Sequence, residues 1–162
     1  MKKIWIFVFC LLLCGCSIIP AEPAGSCTVS IECSTIFQHL DQLKSGKEEI
    51  LPADGVILPP TQWEFTKGQT AYDALSQLCR ANHIHLEADW TPIYRSAYIA
   101  GIQNLYEFDC GPHSGWTYLV NGQSPNYGCS SYKLQDGDII QWRYTCNLGQ
   151  DTGAGLSKET TP

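Results

Sequence analysis

The sequence predicts an α+β domain, with strands packed on one main helix. Three observations predict it. Several stretches alternate strictly between apolar and polar residues, as half-buried strands do. A single segment, 70–82, combines a strong helical period with a capping signal at its front. Tight-turn pairs, Asn121-Gly122 and Asp136-Gly137, punctuate the second half.

Taken in order, CTVSIEC (27–33) sets Val29 and Ile31 against Thr28, Ser30 and Glu32, a half-buried strand. Ser34 or Thr35 can then cap a short helix whose apolar positions are Ile36, Phe37, Leu40 and Leu43. Residues 51–60 hold three prolines and read as an extended connection. Trp63 and Phe65 share one face of a strand over 62–65. In the main helix Thr70 caps, Asp73 reaches back, and Ala71, Ala74, Leu75, Leu78 and Cys79 form one stripe before Asn82 stops it. Ile84, Leu86, Ala88 and Trp90 alternate with His83, His85, Glu87 and Asp89, which predicts a strand ended by Thr91-Pro92. YIAGIQNLY (98–106) is a second extended piece. Trp116, Tyr118 and Val120 share a strand face that ends at the Asn121-Gly122 hairpin turn, and Ile140, Trp142 and Tyr144 share the face of the last strand.

The ends of the chain carry a different message. Lys2 and Lys3 precede IWIFVFCLLL (4–13), an apolar run too short for a spanning helix with these flanks. Leu13-Cys14-Gly15-Cys16 follows and resembles a bacterial lipoprotein signal. Small residues admit the peptidase backbone, and the Cys16 thiol receives the diacylglycerol. Residues 1–15 are therefore expected to leave as a signal peptide, with lipid on Cys16 anchoring the chain to the cell membrane on its extracellular side. Several acyl chains on one cysteine hold far more firmly than one myristoyl group. Residues 16–26 read as a tether, 27–151 as one domain, and 152–162 as a flexible tail. Loss of the two lysines makes the chain more acidic than its formal net charge of −6. That balance, with no basic patch bearing interleaved aromatics, argues against a nucleic-acid partner.

Nine cysteines are present. Cys10 and Cys14 fall in the signal and Cys16 takes lipid. Cys27, Cys33, Cys79, Cys110, Cys129 and Cys146 remain, an even number that reads as a disulfide framework in an exported chain. Cys110 and Cys129 flank the 114–128 stretch and are the preferred pair, a closure contributing about 3 kcal/mol. The pairing of the other four stays open. No CxxC occurs, so neither a zinc ribbon nor a thioredoxin-like site is supported.

GQTAYDAL (68–75), AYIAGIQNLYEFDCG (97–111), SGWTYLVNGQSPNYGCSSYKLQDGD (114–138) and IIQWRYTCNLGQD (139–151) together resemble the transcobalamin-like C-terminal domain, over residues 61–151. This domain also occurs on bacterial surface proteins as a domain of unknown function. The resemblance implies a disulfide-stapled, β-grasp-like fold of the soluble ligand-binding group, with a mixed sheet of about five strands gripping the 70–82 helix. In the vitamin B12 carriers this domain supplies one wall of the cobalamin site, and the parts matching 116–120 and 124–128 face the corrin. By that similarity Trp116, Tyr118, Pro125, Asn126 and Tyr127 are the candidate contacts to a small soluble ligand, a corrinoid or a glycan. The helical-repeat domain that encloses the vitamin in those carriers has no counterpart in this sequence.

The residues themselves permit plainer readings. Trp116 and Tyr118 alternate, as cross-strand packing pairs do. Pro125, Asn126 and Tyr127 follow a turn and are expected at the surface, where tyrosine offers a flat apolar face and a hydroxyl. His83 and His85 share a strand face without an evident third ligand, so no metal is expected. His113 beside Ser114 lacks an elbow motif and an orienting acid, so no catalytic residue and no cofactor is expected. Asp136 and Asp138 fit a tight turn better than acid/base work. Arg143 is expected to pair with an acid across the sheet. The competing function is an envelope-protein interaction domain that docks a partner, for example by strand addition to a sheet edge.

Overall fold

The computed structural model describes residues 22–93 and 95–153. The expected signal peptide (1–15), the lipidated Cys16, the first part of the tether and the tail beyond 153 lie outside the described residues. Among the described residues, seven strands and one α-helix follow in the order β1 (Gly25–Glu32), β2 (Val56–Phe65), α1 (Ala71–Ala81), β3 (Leu86–Thr91), β4 (Ser96–Ile102), β5 (Leu105–Tyr106), β6 (Gly115–Val120) and β7 (Ile139–Thr145).

β1 lies at the centre because its alternate residues, Cys27, Val29 and Ile31, are all buried. It pairs antiparallel with β2 and parallel with β7, and β6 closes the far side, giving a mixed sheet in the order β2-β1-β7-β6. The parallel step needs a crossover, and α1 supplies it. Ala71, Ala74, Leu75, Leu78 and Cys79 pack on Val29, Ile31, Ile140 and Trp142 as the main core. The cap is as the sequence predicts: Thr70 Oγ1 accepts from Asp73 N at 3.1 Å, and Asp73 Oδ2 accepts from Thr70 N at 2.8 Å. Arg143 meets Glu32, its register partner on β1, at 2.7 Å.

Four expectations are revised. The single sheet of about five strands is instead two sheets, because the 98–106 piece doubles back. Gln103 and Asn104 both adopt positive φ (54° and 59°), which folds β5 onto β4 and creates a separate sheet β3-β4-β5. The proline-rich connection is largely strand: Pro59 and Pro60 lie within β2, tolerated because β2 is an edge strand beside a register shift in β1. Residues 34–42 form two 3-10 turns rather than a capped α-helix. His39, at φ −137°, interrupts them, so only Ile36 and Leu43 are buried while Phe37 and Leu40 are exposed. Asn121-Gly122 turns the chain as expected, but the partner of β6 is the distant β7, not the segment that follows the turn.

The stapled part of the fold expectation is not met at bonding distance, since all six described cysteines are unpaired and buried. Nor does packing bring the preferred partners together. Cys129 belongs to the main core with Cys27 and Cys79, where its carbonyl accepts from Tyr72 N at the start of α1. Cys110 bridges through its backbone to Leu43 and packs in a smaller cluster with Cys33, Ile36, Leu105, Tyr144 and Cys146. Nearness in sequence was a poor guide because β6 carries the chain from one cluster to the other. No helix among the described residues is long and apolar enough to cross a membrane.

Candidate functional site

β6 is the edge of the larger sheet, and β4 of the smaller sheet passes beside it. A cleft of about 360 Å³ opens there. One wall is Tyr98 of β4 with Glu107 and Phe108 behind β5. The floor is the 112–115 turn with Trp116 and Thr117 of β6. The other wall is Thr145 at the end of β7 with Leu148 and Gly149 beyond it.

Two apolar side chains on this cleft are held against their backbone preference. Phe108 has φ +63° and is 53% exposed; Leu148 has φ +48° and is 69% exposed. Left-handed backbone costs a branched or bulky residue about 1–2 kcal/mol. One turn holds both. Phe108 N donates to Ser114 O at 3.0 Å, and Leu148 N donates to His113 O at 3.1 Å. The turn itself needs Gly111: at φ +87° a Cβ there would meet Gln42 Oε1 at 2.5 Å. Ser114 Oγ donates to Gly111 O at 2.9 Å and accepts from Cys110 N at 3.0 Å. Its proton is therefore committed, and the imagined His113–Ser114 nucleophile pair does not form.

Asp109 fixes the approach to this turn. It is 3% exposed, accepts from Tyr106 N at 2.8 Å, and pairs with Lys47 at 2.9 Å and Lys44 at 3.2 Å. Burial works to raise its pKa, but Lys47, the Tyr106 N–H and Lys44 outweigh burial and hold the carboxyl below its ordinary range. Within the cleft, Tyr98 Oη donates to the Glu107 carboxylate. Burial first, then the bond to Glu107 and its charge, push Tyr98 up to about 12, so the phenol stays a neutral donor. The cleft thus offers apolar faces from Phe108, Leu148 and Trp116, with one tyrosine-bound carboxylate.

The five expected ligand contacts divide. Trp116 reaches the cleft, half-buried, with Nε1 donating to Leu105 O at 2.8 Å and its ring edge-on to Tyr144 at 5.3 Å. Tyr118 stacks on Trp142 at 5.3 Å and donates to Tyr127 O at 2.6 Å; burial first pushes its pKa well above the ordinary value. Tyr144 and Trp142 are the register partners of Trp116 and Tyr118, so the cross-strand packing reading holds for both. Pro125 is half-buried and Asn126 exposed. Tyr127 is 54% exposed and stacks on Tyr132 at 6.1 Å. Tyr118, Pro125, Asn126 and Tyr127 do not line the cleft. Sequence reasoning missed Tyr98, Glu107, Phe108 and Leu148, and only the position of Phe108 before Asp-Cys-Gly hinted at an exposed aromatic.

The remaining candidates take structural places. His83, at φ +56°, sits in the turn after α1 rather than on β3, and His85 packs against Tyr106 at 5.9 Å. They do not share a strand face. Asp138 accepts from Tyr132 Oη (2.8 Å), Gln135 N (2.9 Å) and Asn121 Nδ2 (3.0 Å), while Asp136 accepts from Ser26 N at 2.8 Å. Ligand-type atoms of His39, Cys146 and Asp151 lie within 4.8 Å of one another. Both Asp151 oxygens already accept bonds, from Thr145 Oγ1 and from Cys146 N at 2.8 Å, so Asp151 first serves to close the 145–151 turn.

Residues 68–146 match a family model described as Domain of unknown function (DUF4430). The matched segment runs from the cap of α1 to the end of β7 and so holds most of the cleft. No curated protein matches the chain. Among solved structures, haptocorrin in complex with Cbi superposes with a TM-score of 0.52 at 14% identity, covering 78% of this chain and 27% of haptocorrin. This chain therefore spans about a quarter of that protein. A structure from Ruminococcus gnavus ATCC 29149, described provisionally as a metal binding protein, aligns with a TM-score of 0.43 at 12% identity, covering 75% of this chain and 96% of its own. The fold is transcobalamin-like.

Proposed function

We propose that this protein is a non-catalytic binding module, held by lipid on Cys16 at the extracellular face of a cell membrane, that takes part of a small ring-bearing ligand into the cleft at β6. The observation that carries this reading is the pair Phe108 and Leu148. Both are apolar, exposed and held in left-handed backbone on one concavity. Strain of this kind persists where the surroundings over-determine it, and it concentrates at ligand sites. The cleft volume falls at the small end of ligand pockets, which suits a sugar or one edge of a larger ring. Its chemistry suits an amphipathic ring: apolar faces for stacking, and Glu107 with Tyr98 for a polar edge. A corrinoid and a glycan both have that character. Haptocorrin, whose fold is similar over this region, is in complex with Cbi, which supports the corrinoid. All six described cysteines are free thiols in the structure, and an oxidising extracellular setting favours joining such thiols in pairs.

The test is calorimetry of the full chain in detergent, titrated with cobinamide and separately with a panel of oligosaccharides. We expect saturable binding to one class, weakened at least tenfold by Phe108→Ala. Silence toward both, or binding indifferent to Phe108→Ala, removes the reading. The edge position of β6 favours a second reading, an envelope-protein partner that adds a strand there. That reading predicts binding to a partner that survives Phe108→Ala but not a proline at an outward-facing position of β6.

A further inference from the structure

Three cysteines converge beneath the cleft. Cys33, Cys110 and Cys146 pack with Tyr144 in the smaller core cluster. Within it the sulfurs of Cys110 and Cys146 both lie at His39: the Cys110 thiol donates to His39 O at 3.3 Å, and the Cys146 sulfur lies within 4.8 Å of a His39 ring nitrogen. Both residues are buried, and the backbone at each is already fixed. Cys110 N donates to Ser114 Oγ at 3.0 Å, and Cys146 N donates to Asp151 Oδ2 at 2.8 Å. The two sit at the roots of opposite walls. Cys110 opens the turn that holds Phe108, and Cys146 directly follows β7, two residues before Leu148.

We propose that Cys110 and Cys146 form a disulfide that ties the two walls of the cleft together, in place of the Cys110–Cys129 pair. The reaction is exchange with a disulfide-bearing oxidant, either a small molecule or a thiol-oxidase protein. One thiolate attacks a sulfur of the oxidant, forming a mixed disulfide and releasing the oxidant's other sulfur as a thiol. The second cysteine, deprotonated, attacks its neighbour's sulfur and expels the remaining oxidant sulfur. The protein loses two electrons and two protons, and the oxidant's disulfide leaves as two thiol groups, on one molecule or on two. Burial raises both thiols, so thiolate is scarce in the folded protein. Exchange therefore belongs to the folding chain, and the finished bond is shielded from reductants. A divalent metal held by His39, Cys146 and Asp151 is the competing use of the Cys146 sulfur, and the commitment of both Asp151 oxygens to Thr145 Oγ1 and Cys146 N weighs against it.

The deciding experiment maps cross-links in the full chain, purified without reductant, denatured with an alkylating agent present, digested and sequenced by mass spectrometry. We expect a peptide pair joined through Cys110 and Cys146, retained in Cys129→Ser and lost in Cys146→Ser, where Cys110 becomes alkylated. Three outcomes overturn the proposal: both thiols alkylated in the unmodified chain, Cys110 joined to another cysteine, or zinc retained in native mass spectra with both thiols intact. No ligand enters this measurement, so its result is separable from the binding reading that gives the bond its purpose. A mapped bond without ligand binding removes only that reading, and ligand binding with both thiols free removes only the bond.

Discussion

Phe108 offers a direct separation of stability from function. Its φ of +63° suits glycine, and its side chain is more exposed than buried. Phe108→Gly should therefore raise stability, by about 1 kcal/mol, while abolishing ligand uptake. Urea denaturation beside calorimetry reads both, and a loss of stability would mean that the ring packs rather than waits for ligand. Tyr127→Ala makes the opposite control. The tyrosine side chain touches Tyr132 outside the cleft, and the bond from Tyr118 goes to its backbone carbonyl, which alanine keeps. We expect a stability change below about 1 kcal/mol and unchanged ligand affinity, both readable by the same pair of measurements. Loss of affinity would return the site to the 124–128 loop. Asp109 is the residue whose charge matters to the frame. Because its folded pKa is depressed, its contribution is complete above the unfolded carboxylate value of about 3.9 and is lost as pH falls through the folded one. Asp109→Asn should cost about 2 kcal/mol at neutral pH and flatten the fall in stability toward about pH 3, seen by urea titrations at the two pH values.

At the scale of elements, legibility followed locality. The α1 helix was plain in the sequence because its stripe and its Thr70–Asp73 box lie within a few residues of each other. Thr70→Ala should accordingly lower stability by about 1 kcal/mol in thermal or urea unfolding. The face shared by Ile140, Trp142 and Tyr144 was equally plain, since period two needs no partner to be seen. The β4–β5 return was not, because Gln103 and Asn104 carry positive φ without the glycine that usually announces such a turn. Likewise, two prolines concealed most of β2, whose edge position is known only once the sheet is assembled. The aromatic residues of β6 and their cross-strand packing were legible as one of two readings, but their partners were not. Trp116 and Tyr118 are answered by Tyr144 and Trp142 on a strand far along the chain. The cleft was hidden for the same reason. Its walls come from β4, from the turn before β6 and from the segment after β7, and neither Phe108 nor Leu148 betrays its backbone conformation in the alphabet of the sequence.

For the whole molecule, the question is what keeps two sheets in one arrangement around an open cleft. The larger sheet has α1 and the main core to hold it. Ile99 and Ile102 of the smaller sheet also pack in that core, but Leu105 of β5 and the residues that root the cleft walls belong to a cluster of only a few side chains around Tyr144, whose Oη reaches Tyr106 O at 2.7 Å. A covalent tie at this place acts where apolar burial is thinnest. Closing the chain between Cys110 and Cys146 would stabilise by about 4 kcal/mol through lost loop entropy in the unfolded state. For a domain of this size, that corresponds to a melting temperature higher by about 10–20 °C. Calorimetric scans of the oxidised chain and of the Cys110→Ser/Cys146→Ser double variant measure the difference. Because the larger sheet has its own core, the deficit should appear first in the cleft region. Amide exchange in the double variant should speed up at Phe108, Ser114 and Leu148 while the centre of α1 stays protected. Equal loss of protection in α1 would show that the two clusters unfold as one unit, and that the tie stabilises the fold at large rather than the shape of the cleft.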